Sequence, residues 1–239
     1  MTISKKTLIK NYNDVPDSLF VIKNYDSLVA ESIRALRTNI TLRDFDKQLK
    51  IINVLSVAED EGKSTVILNL AASFAQLKKK VLIVDADLHR PSIHRKLMLK
   101  NESGLVDVVS DFKTFEESVN HYFEYFDVLT SGTTVPFASE FIQSTALQKF
   151  LHKIRDQYDY VFVDCPPIAP ISDGLILSKY TDGTLMIIAS GESDRKTLKQ
   201  IKVQFDELQL NVIGIVLNKT LVNNHKYYKN YSSYRSSQR

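Results

Sequence analysis

The 239-residue sequence predicts an α/β fold, in which a mostly parallel β-sheet is covered by helices on both faces. Short runs rich in β-branched residues alternate with segments long enough to form helices, and these runs are apolar almost throughout. A strand with one face in solvent would instead alternate apolar and polar residues. With 44% hydrophobic and 25% charged residues, the chain also has the composition of an ordinary globular protein with one sizeable core.

Six strands and five helices are predicted along the chain. The strands are the apolar runs at residues 51–56, 81–85, 125–129, 160–164, 184–189 and 212–217. The helices lie at residues 27–40, 63–77, 145–156, 173–179 and 194–208. The last of them carries an apolar stripe at helical spacing, formed by Leu198, Ile201, Phe205 and Leu208.

Three parts are predicted: an N-terminal segment at residues 1–45, the α/β domain at 46–222 and a tail at 223–239. In the first part, the helix at 27–40 is amphipathic, with an apolar side formed by Leu28, Ile33, Leu36 and Ile40. Glu31, Arg34 and Arg37 recur every three residues along another side. On this pattern alone, they form an ordinary solvated face with a Glu–Arg pair.

The bulk properties exclude several classes of protein. No apolar run reaches the roughly 18 to 20 residues that a membrane span needs, and the first residues lack the apolar stretch of a secretory signal. A single cysteine, Cys165, leaves no internal disulfide and fits a reducing compartment, so we expect a cytoplasmic protein. The net charge of +3 gives no indication of a nucleic-acid partner.

A phosphate-binding loop is predicted between the first strand and the helix that follows it. The sequence Gly62-Lys63-Ser64-Thr65 lies in the strand–loop–helix setting that a P-loop requires. Backbone N–H groups at the helix start would point at phosphate oxygens, Lys63 would neutralise their charge, and the Ser64 hydroxyl would ligate Mg²⁺. A chance Gly-Lys-Ser is the alternative, and the strand and helix around it argue against chance.

The loop departs from the usual P-loop pattern. Val57 stands where a glycine is usual, and Glu59, Asp60 and Glu61 place three carboxylates beside the expected polyphosphate. These charges would repel the ligand unless they point to solvent or are offset by Mg²⁺ and basic groups. Asp60 is tolerable in a left-handed conformation, though less so than glycine.

Three aspartates lie at the ends of buried strands. Asp85 and Asp87 end one strand and Asp164 another. Acids at the carboxyl ends of parallel strands face the crevice where ligands bind, so one could ligate metal and another accept a proton from an attacking hydroxyl. A single such aspartate is often only a helix cap, but three of them with a P-loop favour a catalytic site. Cys165 is predicted to be a buried small residue, because no histidine lies near it in sequence.

The end of the chain combines tyrosine with positive charge. Four of the eleven tyrosines lie there, Tyr227, Tyr228, Tyr231 and Tyr234, and no acidic residue follows Glu207. This composition is that of a solvated, disordered end, and attraction to anionic lipid is a further interpretation. A nucleotide site and a set of phenolic hydroxyls on one chain suggest, instead, a catalyst with its own substrate.

Together these motifs resemble those of the bacterial tyrosine kinases of the capsule and exopolysaccharide type, over roughly residues 25–234. That family is similar to the deviant P-loop ATPases that position septa and segregate DNA, but it phosphorylates protein tyrosine with ATP. The motifs that carry the resemblance are Glu31-x-x-Arg34-x-x-Arg37, Gly62-Lys63-Ser64-Thr65, residues 84–91 (VDADLHRP), residues 104–109 (GLVDVV), Ser139-Glu140, Asp164-Cys165-Pro166-Pro167 and the tyrosine-rich end.

The resemblance implies a role for each residue of the site, with ATP and Mg²⁺ as cofactors. Lys63 would contact phosphate, and Ser64 with Asp87 would hold Mg²⁺. Asp85 would activate the incoming tyrosine hydroxyl, and Asp164 would complete the metal environment. ATP would be bound by the loop residues Glu61, Gly62, Lys63, Ser64 and Thr65. It would also be bound by Asn218, which matches a position near the adenine in related ATPases.

The resemblance also implies an assembly and partners. Glu31, Arg34 and Arg37 match the motif through which these kinases form a homo-oligomeric ring, in which the tail of one subunit enters the active site of the next. Phosphorylation would add about −1.5 to −2 charges to each tail tyrosine and loosen the ring. The implied partners are a membrane adaptor of the polysaccharide co-polymerase type, which activates the kinase at the inner face of the membrane, and a cognate phosphotyrosine phosphatase.

The chain departs from the family pattern at three places. Glu59 and Asp60 replace a Pro-Gly pair, His89 stands where an arginine is common, and Phe137-Ala138 replaces the residues usual before Ser139-Glu140. None of these changes removes a catalytic group.

Two other functions stay open from the sequence. A partitioning or septum-positioning ATPase would dimerise on ATP and lack protein substrates. Such proteins usually carry a second lysine early in the P-loop, where this chain has Ala58, and the tail here lacks the apolar pattern of a membrane-targeting helix. The other is a catalytically weak scaffold of the polysaccharide machinery, disabled by its acidic loop.

Overall fold

The computed structural model describes residues 14–46, 48–168, 173–192 and 195–220. It therefore covers most of the N-terminal segment and nearly all of the predicted α/β domain. The predicted tail and its tyrosines Tyr227, Tyr228, Tyr231 and Tyr234 lie outside the described residues.

The described strands form one sheet in the order β3-β4-β2-β5-β1-β6-β7. Neighbouring strands are parallel except for the pair β3 and β4, which is antiparallel. This confirms the predicted mostly parallel sheet. The strands are β1 (Ile51–Ser56), β2 (Val81–Asp85), β3 (Asn120–Phe123), β4 (Phe126–Leu129), β5 (Tyr160–Asp164), β6 (Gly183–Ala189) and β7 (Val212–Asn218).

All six predicted strands are present with bounds that differ by no more than one residue, and β3 is the strand that the sequence did not predict. β3 lies at the edge of the sheet, where Tyr122 is buried while Asn120, His121 and Phe123 are partly exposed. A short edge strand lacks the continuous apolar run that marks a strand buried on both faces.

The five predicted helices are also present, with ends shifted by up to three residues. The described residues form five further helices of only four or five residues, too few to give a periodic apolar pattern. In chain order the helices are α1 (Phe20–Lys23), α2 (Leu28–Arg43), α3 (Lys63–Ala75), α4 (Ile93–Lys96), α5 (Leu105–Val109), α6 (Phe115–Ser118), α7 (Ala138–Ile142), α8 (Thr145–Arg155), α9 (Asp173–Ser178) and α10 (Arg195–Glu207).

Apolar cores lie on both faces of the sheet, as predicted. On one face, Ile67 and Phe74 of α3 pack with Phe162 of β5, and α1 and α2 extend this core. On the other face, α5, α8 and α10 contribute to the core, which includes Phe150 of α8 and Val161 of β5. Side chains of β5 thus enter both cores, which explains why its sequence is apolar throughout.

Helix α2 packs against α3 through part of the side that the sequence predicted. Ser27 caps its start, because the Ser27 hydroxyl accepts a 3.1 Å hydrogen bond from Ala30 N–H. Ile33 and Ile40 are buried, whereas Leu28 is 41% exposed, so the predicted apolar side does not extend to the first turn. Among the described residues, no helix has the length and apolar character needed to cross a membrane.

Candidate active site

Strand order brings the predicted site residues to one edge of the sheet. β5 lies between β1 and β2, and all three are parallel, so their carboxyl ends are adjacent. Asp85 of β2 and Asp164 of β5 are paired in register, and the P-loop follows β1 beside them. This is the crevice in which open α/β sheets bind ligands.

The loop has the backbone geometry of a phosphate-binding site. Gly62 has a φ of +89°, a conformation that suits glycine, and α3 begins at the next residue. A Cβ on Gly62 would lie 2.1 Å from Nδ2 of Asn218, so the position also lacks space for a side chain. Asn218 Nδ2 donates a 2.8 Å hydrogen bond to the Glu61 carbonyl. Asn218 therefore stabilises the loop. The sequence predicted that Asn218 lies near the adenine, but it did not predict this contact with the loop.

Asp164 holds two groups of the P-loop. The Lys63 ammonium forms an ion pair with Asp164 Oδ1, and the Ser64 hydroxyl donates a 2.8 Å hydrogen bond to Asp164 Oδ2. Burial lowers the pKa of Lys63, but the charge and hydrogen bond of Asp164 outweigh burial, so the pKa lies above its ordinary value. Ser92 donates a further hydrogen bond of 2.9 Å to the Ser64 hydroxyl.

Asp85 and Asp87 occupy different environments, although a single residue separates them. Asp85 is fully buried, and its carboxylate accepts hydrogen bonds from the backbone N–H groups of Asp87, Ser92 and Ile93 at 3.3, 3.2 and 3.1 Å. Burial, reinforced by the charge of Asp164, raises the pKa of Asp85 well above its ordinary value.

Asp87 is the more accessible of the two carboxylates. Its Oδ2 lies 4.0 Å from the Lys63 ammonium, and its Oδ1 accepts a 3.0 Å hydrogen bond from the backbone N–H of Arg90. Burial raises the pKa of Asp87 although the Lys63 charge acts in the opposite direction. Asp87 lines the cleft in front of the P-loop, whereas Asp85 and Asp164 lie behind its lining.

The three acidic residues of the loop line the cleft, and each has a different environment. The Glu61 side chain turns inward, where its carboxylate accepts hydrogen bonds from the N–H groups of Val57, Ala58 and Ala189 at 2.6, 3.1 and 3.2 Å. Glu59 forms an ion pair with Arg90. Asp60 adopts the left-handed conformation with a φ of +59° and is exposed to solvent. Each carboxylate is thus hydrogen-bonded, paired with a cation or solvated, which reduces the repulsion expected between this loop and a polyphosphate.

The cleft has a volume of about 890 Å³. Its lining includes loop residues 58–65, Asp87, Arg90, Pro166 and Asn218. A second cavity of about 450 Å³ lies elsewhere and is lined by Arg43, Arg155 and Asp182, among others, but by none of the predicted catalytic or ATP-binding residues. We therefore assign the larger cleft as the candidate active site.

The oxygen atoms in the cleft fit Mg²⁺. Mg²⁺ prefers oxygen ligands and usually keeps several waters, with one or two carboxylates and substrate phosphates completing its octahedron. Among the described residues, no group of three or more carboxylate, histidine or cysteine side chains could hold a metal ion by itself. The Ser64 hydroxyl and Asp87 line the cleft and would supply protein ligands. Both Asp164 oxygens already accept contacts from Lys63 and Ser64, so Asp164 fits a supporting position.

Two contacts at the cleft were not predicted. His89 Nε2 lies 3.0 Å from Asp173 Oδ2, and the other oxygen of this buried carboxylate has no hydrogen-bond partner among the described residues. Arg90 pairs with Glu59, as described above. No local signal in the sequence could have found these pairs, because their members lie 84 and 31 residues apart. Cys165 is fully buried, as predicted, and burial raises the pKa of its thiol.

The residues predicted to form an oligomer contact lie on α2 and do not line the cleft. Arg34 donates a 2.6 Å hydrogen bond to Glu31 and one of 2.9 Å to the Tyr25 carbonyl, and its guanidinium stacks 4.4 Å from the Tyr25 ring centre. Arg37 donates a 2.6 Å hydrogen bond to the Ser73 carbonyl of α3. Both arginines thus make contacts within their own chain. The Arg34 side chain is only 12% exposed, whereas that of Glu31 is 43% exposed.

Comparison with known proteins gives consistent matches. The family described as AAA domain matches residues 49–217. The chain is 34% identical over 208 residues to tyrosine-protein kinase YwqD of Bacillus subtilis, covering 87% of this chain and 88% of that protein. It is 29% identical over 216 residues to tyrosine-protein kinase ptk of Acinetobacter johnsonii, but it spans only 29% of the length of that protein.

Solved structures share the fold of this chain. The kinase domain of Escherichia coli tyrosine kinase ETK has a TM-score of 0.83 to this chain at 27% identity, covering 93% of this chain and 86% of that one. The septum site-determining protein MinD from Pyrococcus horikoshii, in complex with Mg-ADP, has a TM-score of 0.60 to this chain at 19% identity. The match covers 74% of this chain and 72% of that one. The likeness to MinD shows a shared fold.

Proposed function

The chain belongs to the AAA-domain family and to the bacterial tyrosine kinases, and from that premise we propose that it transfers phosphate from ATP to tyrosines of its own C-terminal tail. The observation that carries the proposal is the arrangement of Lys63, Ser64 and Asp87 at the P-loop cleft, with Asp85 and Asp164 directly behind it. Cationic, hydroxyl and carboxylate groups in one crevice are what phosphoryl transfer requires.

Each residue of the cleft has a proposed part in binding ATP and Mg²⁺. Lys63 would exchange its ion pair with Asp164 for phosphate oxygens, while Ser64 and Asp87 would hold Mg²⁺. The bound metal would neutralise charge that develops on the phosphates. The backbone from Glu61 to Thr65 would surround those phosphates, since N–H groups at a helix start bind anions. Asn218 would keep the loop in this shape through its hydrogen bond to the Glu61 carbonyl.

A carboxylate would accept the proton of the attacking phenol. In the transfer, the tyrosine O–H bond breaks, a bond forms between the phenolic oxygen and the terminal phosphorus, and ADP leaves with the bridging oxygen. Asp85 is our candidate for the proton acceptor. A phenol would reach it only after Ser92 and Ile93 withdraw, because their N–H groups cover its carboxylate. Asp87 already faces the cleft and is the alternative acceptor.

Tail phosphorylation is proposed to occur between subunits. Glu31, Arg34 and Arg37 would join neighbouring chains in a ring, so that the tail of one chain reaches the cleft of the next. Phosphates on Tyr227, Tyr228, Tyr231 and Tyr234 would then repel one another and the acidic cleft, and the ring would loosen. A membrane adaptor would activate the enzyme at the inner face of the membrane, a phosphatase would reset the tail, and the cycle would regulate capsular or exopolysaccharide synthesis.

The deciding experiment is a labelling assay on the full chain. The protein is incubated with labelled ATP and Mg²⁺, with and without the cytoplasmic fragment of its adaptor, and phosphotyrosine is mapped by mass spectrometry. Label on the four tail tyrosines supports the proposal. ATP hydrolysis without label would favour a MinD-like switch, and no hydrolysis in either condition would favour a scaffold.

Mixing two variants tests transfer between subunits. Lys63→Met supplies an intact tail without a working P-loop, and a chain with phenylalanine at the four tail tyrosines supplies a working P-loop without acceptors. Label on the tail of the Lys63→Met chain shows transfer in trans. Its absence, together with a fully labelled wild-type chain, would contradict this part of the proposal.

A further inference from the structure

An exposed ion pair joins the two sides of the cleft entrance. Arg90, in the segment after β2, contacts Glu59, which lies in the P-loop four residues before Lys63. The two side chains are 72% and 48% exposed. The contact therefore stands in solvent at the mouth of the cleft and is not part of the buried network around Asp164.

The backbone of Arg90 is held beside the proposed metal ligand. Its N–H donates a 3.0 Å hydrogen bond to Asp87 Oδ1, while Asp87 Oδ2 lies 4.0 Å from the Lys63 ammonium. Arg90 and Lys63 thus flank Asp87, and all three residues line the cleft. A phosphate that shares its metal with Asp87 would lie close to the Lys63 ammonium and to the Arg90 backbone, in the cleft that the Arg90 side chain also lines.

Two lysines that line the cleft are engaged differently. Lys96 Nζ lies 3.3 Å from the Thr65 hydroxyl at the start of α3, and Lys219 pairs at 2.9 Å with Glu192. Arg90 differs from both because its partner is a carboxylate of the P-loop itself. Its guanidinium contacts Glu59 at an exposed part of the loop, on the lining of the cleft.

On this geometry, and on the proposed binding of ATP at the P-loop, we propose that Arg90 recognises the third phosphate of ATP and that Glu59 holds the Arg90 side chain when that phosphate is absent. An exposed Arg–Glu pair contributes little net stability, because water and salt screen it. A guanidinium–phosphate contact is stronger, since phosphate carries more charge and can accept two parallel hydrogen bonds. ATP then displaces Glu59 from Arg90, whereas ADP leaves the pair intact.

The test compares two nucleotides in direct binding. Dissociation constants for Mg²⁺-ADP and for a non-hydrolysable Mg²⁺-ATP analogue are measured by calorimetry on the full chain. Arg90→Ala should raise the dissociation constant of the analogue by roughly tenfold and change that of ADP by less than about twofold. The reason is that the variant loses one charge-assisted contact, which only a ligand with the third phosphate can make. Arg90→Lys should fall between wild type and alanine.

A double-mutant cycle tests the part played by Glu59. Glu59→Gln should increase the affinity for the ATP analogue several-fold when Arg90 is present, because Glu59 then no longer competes for the guanidinium. The same change should have a smaller effect in the Arg90→Ala variant. Lys202→Ala is the control, since Lys202 is an exposed cation paired with Asp206 on α10 and does not line the cleft.

If Arg90→Ala loses the same affinity for both nucleotides, or loses affinity for neither, the proposed role of Arg90 is wrong. Equal effects of Glu59→Gln in both backgrounds would overturn the role of Glu59. If the wild-type chain binds neither nucleotide, the proposed kinase function fails first, so the two failures can be told apart.

Discussion

The Ser64 hydroxyl donates a 2.8 Å hydrogen bond to Asp164 Oδ2, although 100 positions separate the two residues in the chain. Ser64 lies at the start of α3 and Asp164 at the end of β5, and the pairing of β1 with β5 brings them together. Lys63 pairs with the other oxygen of the same carboxylate. Both predicted phosphate-site groups are therefore held in position by one buried residue.

Lys63→Met should abolish tail phosphorylation, because it removes the cation that would contact the phosphates. It also leaves the fully buried Asp164 without its ion-pair partner, so the variant should lose on the order of 3 kcal/mol of unfolding free energy. Labelling with ATP and chemical denaturation measure the two effects. Lys79→Met is the matched control, because Lys79 is half exposed and pairs with Asp159 away from the cleft. Tail label in Lys63→Met would contradict the proposed site.

Asp85→Asn should change the pH dependence of stability. Burial raises the pKa of Asp85, so the folded protein keeps this proton to higher pH than the unfolded chain does. The free energy of unfolding then falls as pH rises above the unfolded value of about 4 and through the folded pKa. Asparagine cannot ionise, so the variant should gain stability relative to wild type as pH increases. Melting temperatures between pH 4 and 8 measure this difference, and a constant difference would show that Asp85 does not titrate as inferred.

Asp85→Asn and Asp87→Asn should have different effects on function. Asp87 lines the cleft and fits a Mg²⁺ ligand, so Asp87→Asn should weaken nucleotide binding in Mg²⁺ more than in EDTA. Asp85 lies behind the lining, so Asp85→Asn should reduce phosphorylation and spare nucleotide binding. Calorimetry and the labelling assay separate the two roles. Full phosphorylation by Asp85→Asn would leave Asp87 as the proton acceptor.

Glu61→Gln should destabilise the fold by about 1 to 3 kcal/mol, because it places an amide donor against backbone N–H groups that now donate to a carboxylate. Asp60→Asn is the matched control in the same loop. Asp60 is exposed and makes no hydrogen bond or ion pair with a described residue, and asparagine tolerates its left-handed backbone, so the change should stay within about 0.5 kcal/mol. Denaturant unfolding measures both. Similar small effects in the two variants would show that the Glu61 contacts contribute little.

Replacing both Arg34 and Arg37 by alanine should give monomers in light scattering. Arg43→Ala is the control, since Arg43 is an exposed arginine at the end of the same helix. Because both arginines also make contacts within the chain, the melting temperature is measured in parallel. A lower melting temperature with unchanged oligomer mass would limit these residues to a structural role.

The sequence by itself determined the fold class and the composition of the site. Continuous apolar runs predicted strands buried on both faces, because such strands have no solvent face to make polar, and β1, β2 and β5 begin and end where predicted. The Gly62-Lys63 loop and the strand-end aspartates could also be predicted, because each is recognised from residues that are neighbours in the sequence. A strand–loop–helix junction and the carboxyl end of a strand are features of neighbouring residues.

The tertiary structure alone decided which side chains meet. The order β2-β5-β1 placed Asp164 between the P-loop and Asp85, and that order depends on pairing between strands far apart in the chain. The same packing turned Glu61 inward, paired Glu59 with Arg90 and brought His89 to Asp173. Sequence periodicity reports whether a residue is buried, whereas the partner of a buried or paired charge depends on the three-dimensional arrangement of separate segments. For that reason the acidic loop looked repulsive in the sequence, and the folded chain shows each of its carboxylates bonded inward, paired or directed to solvent.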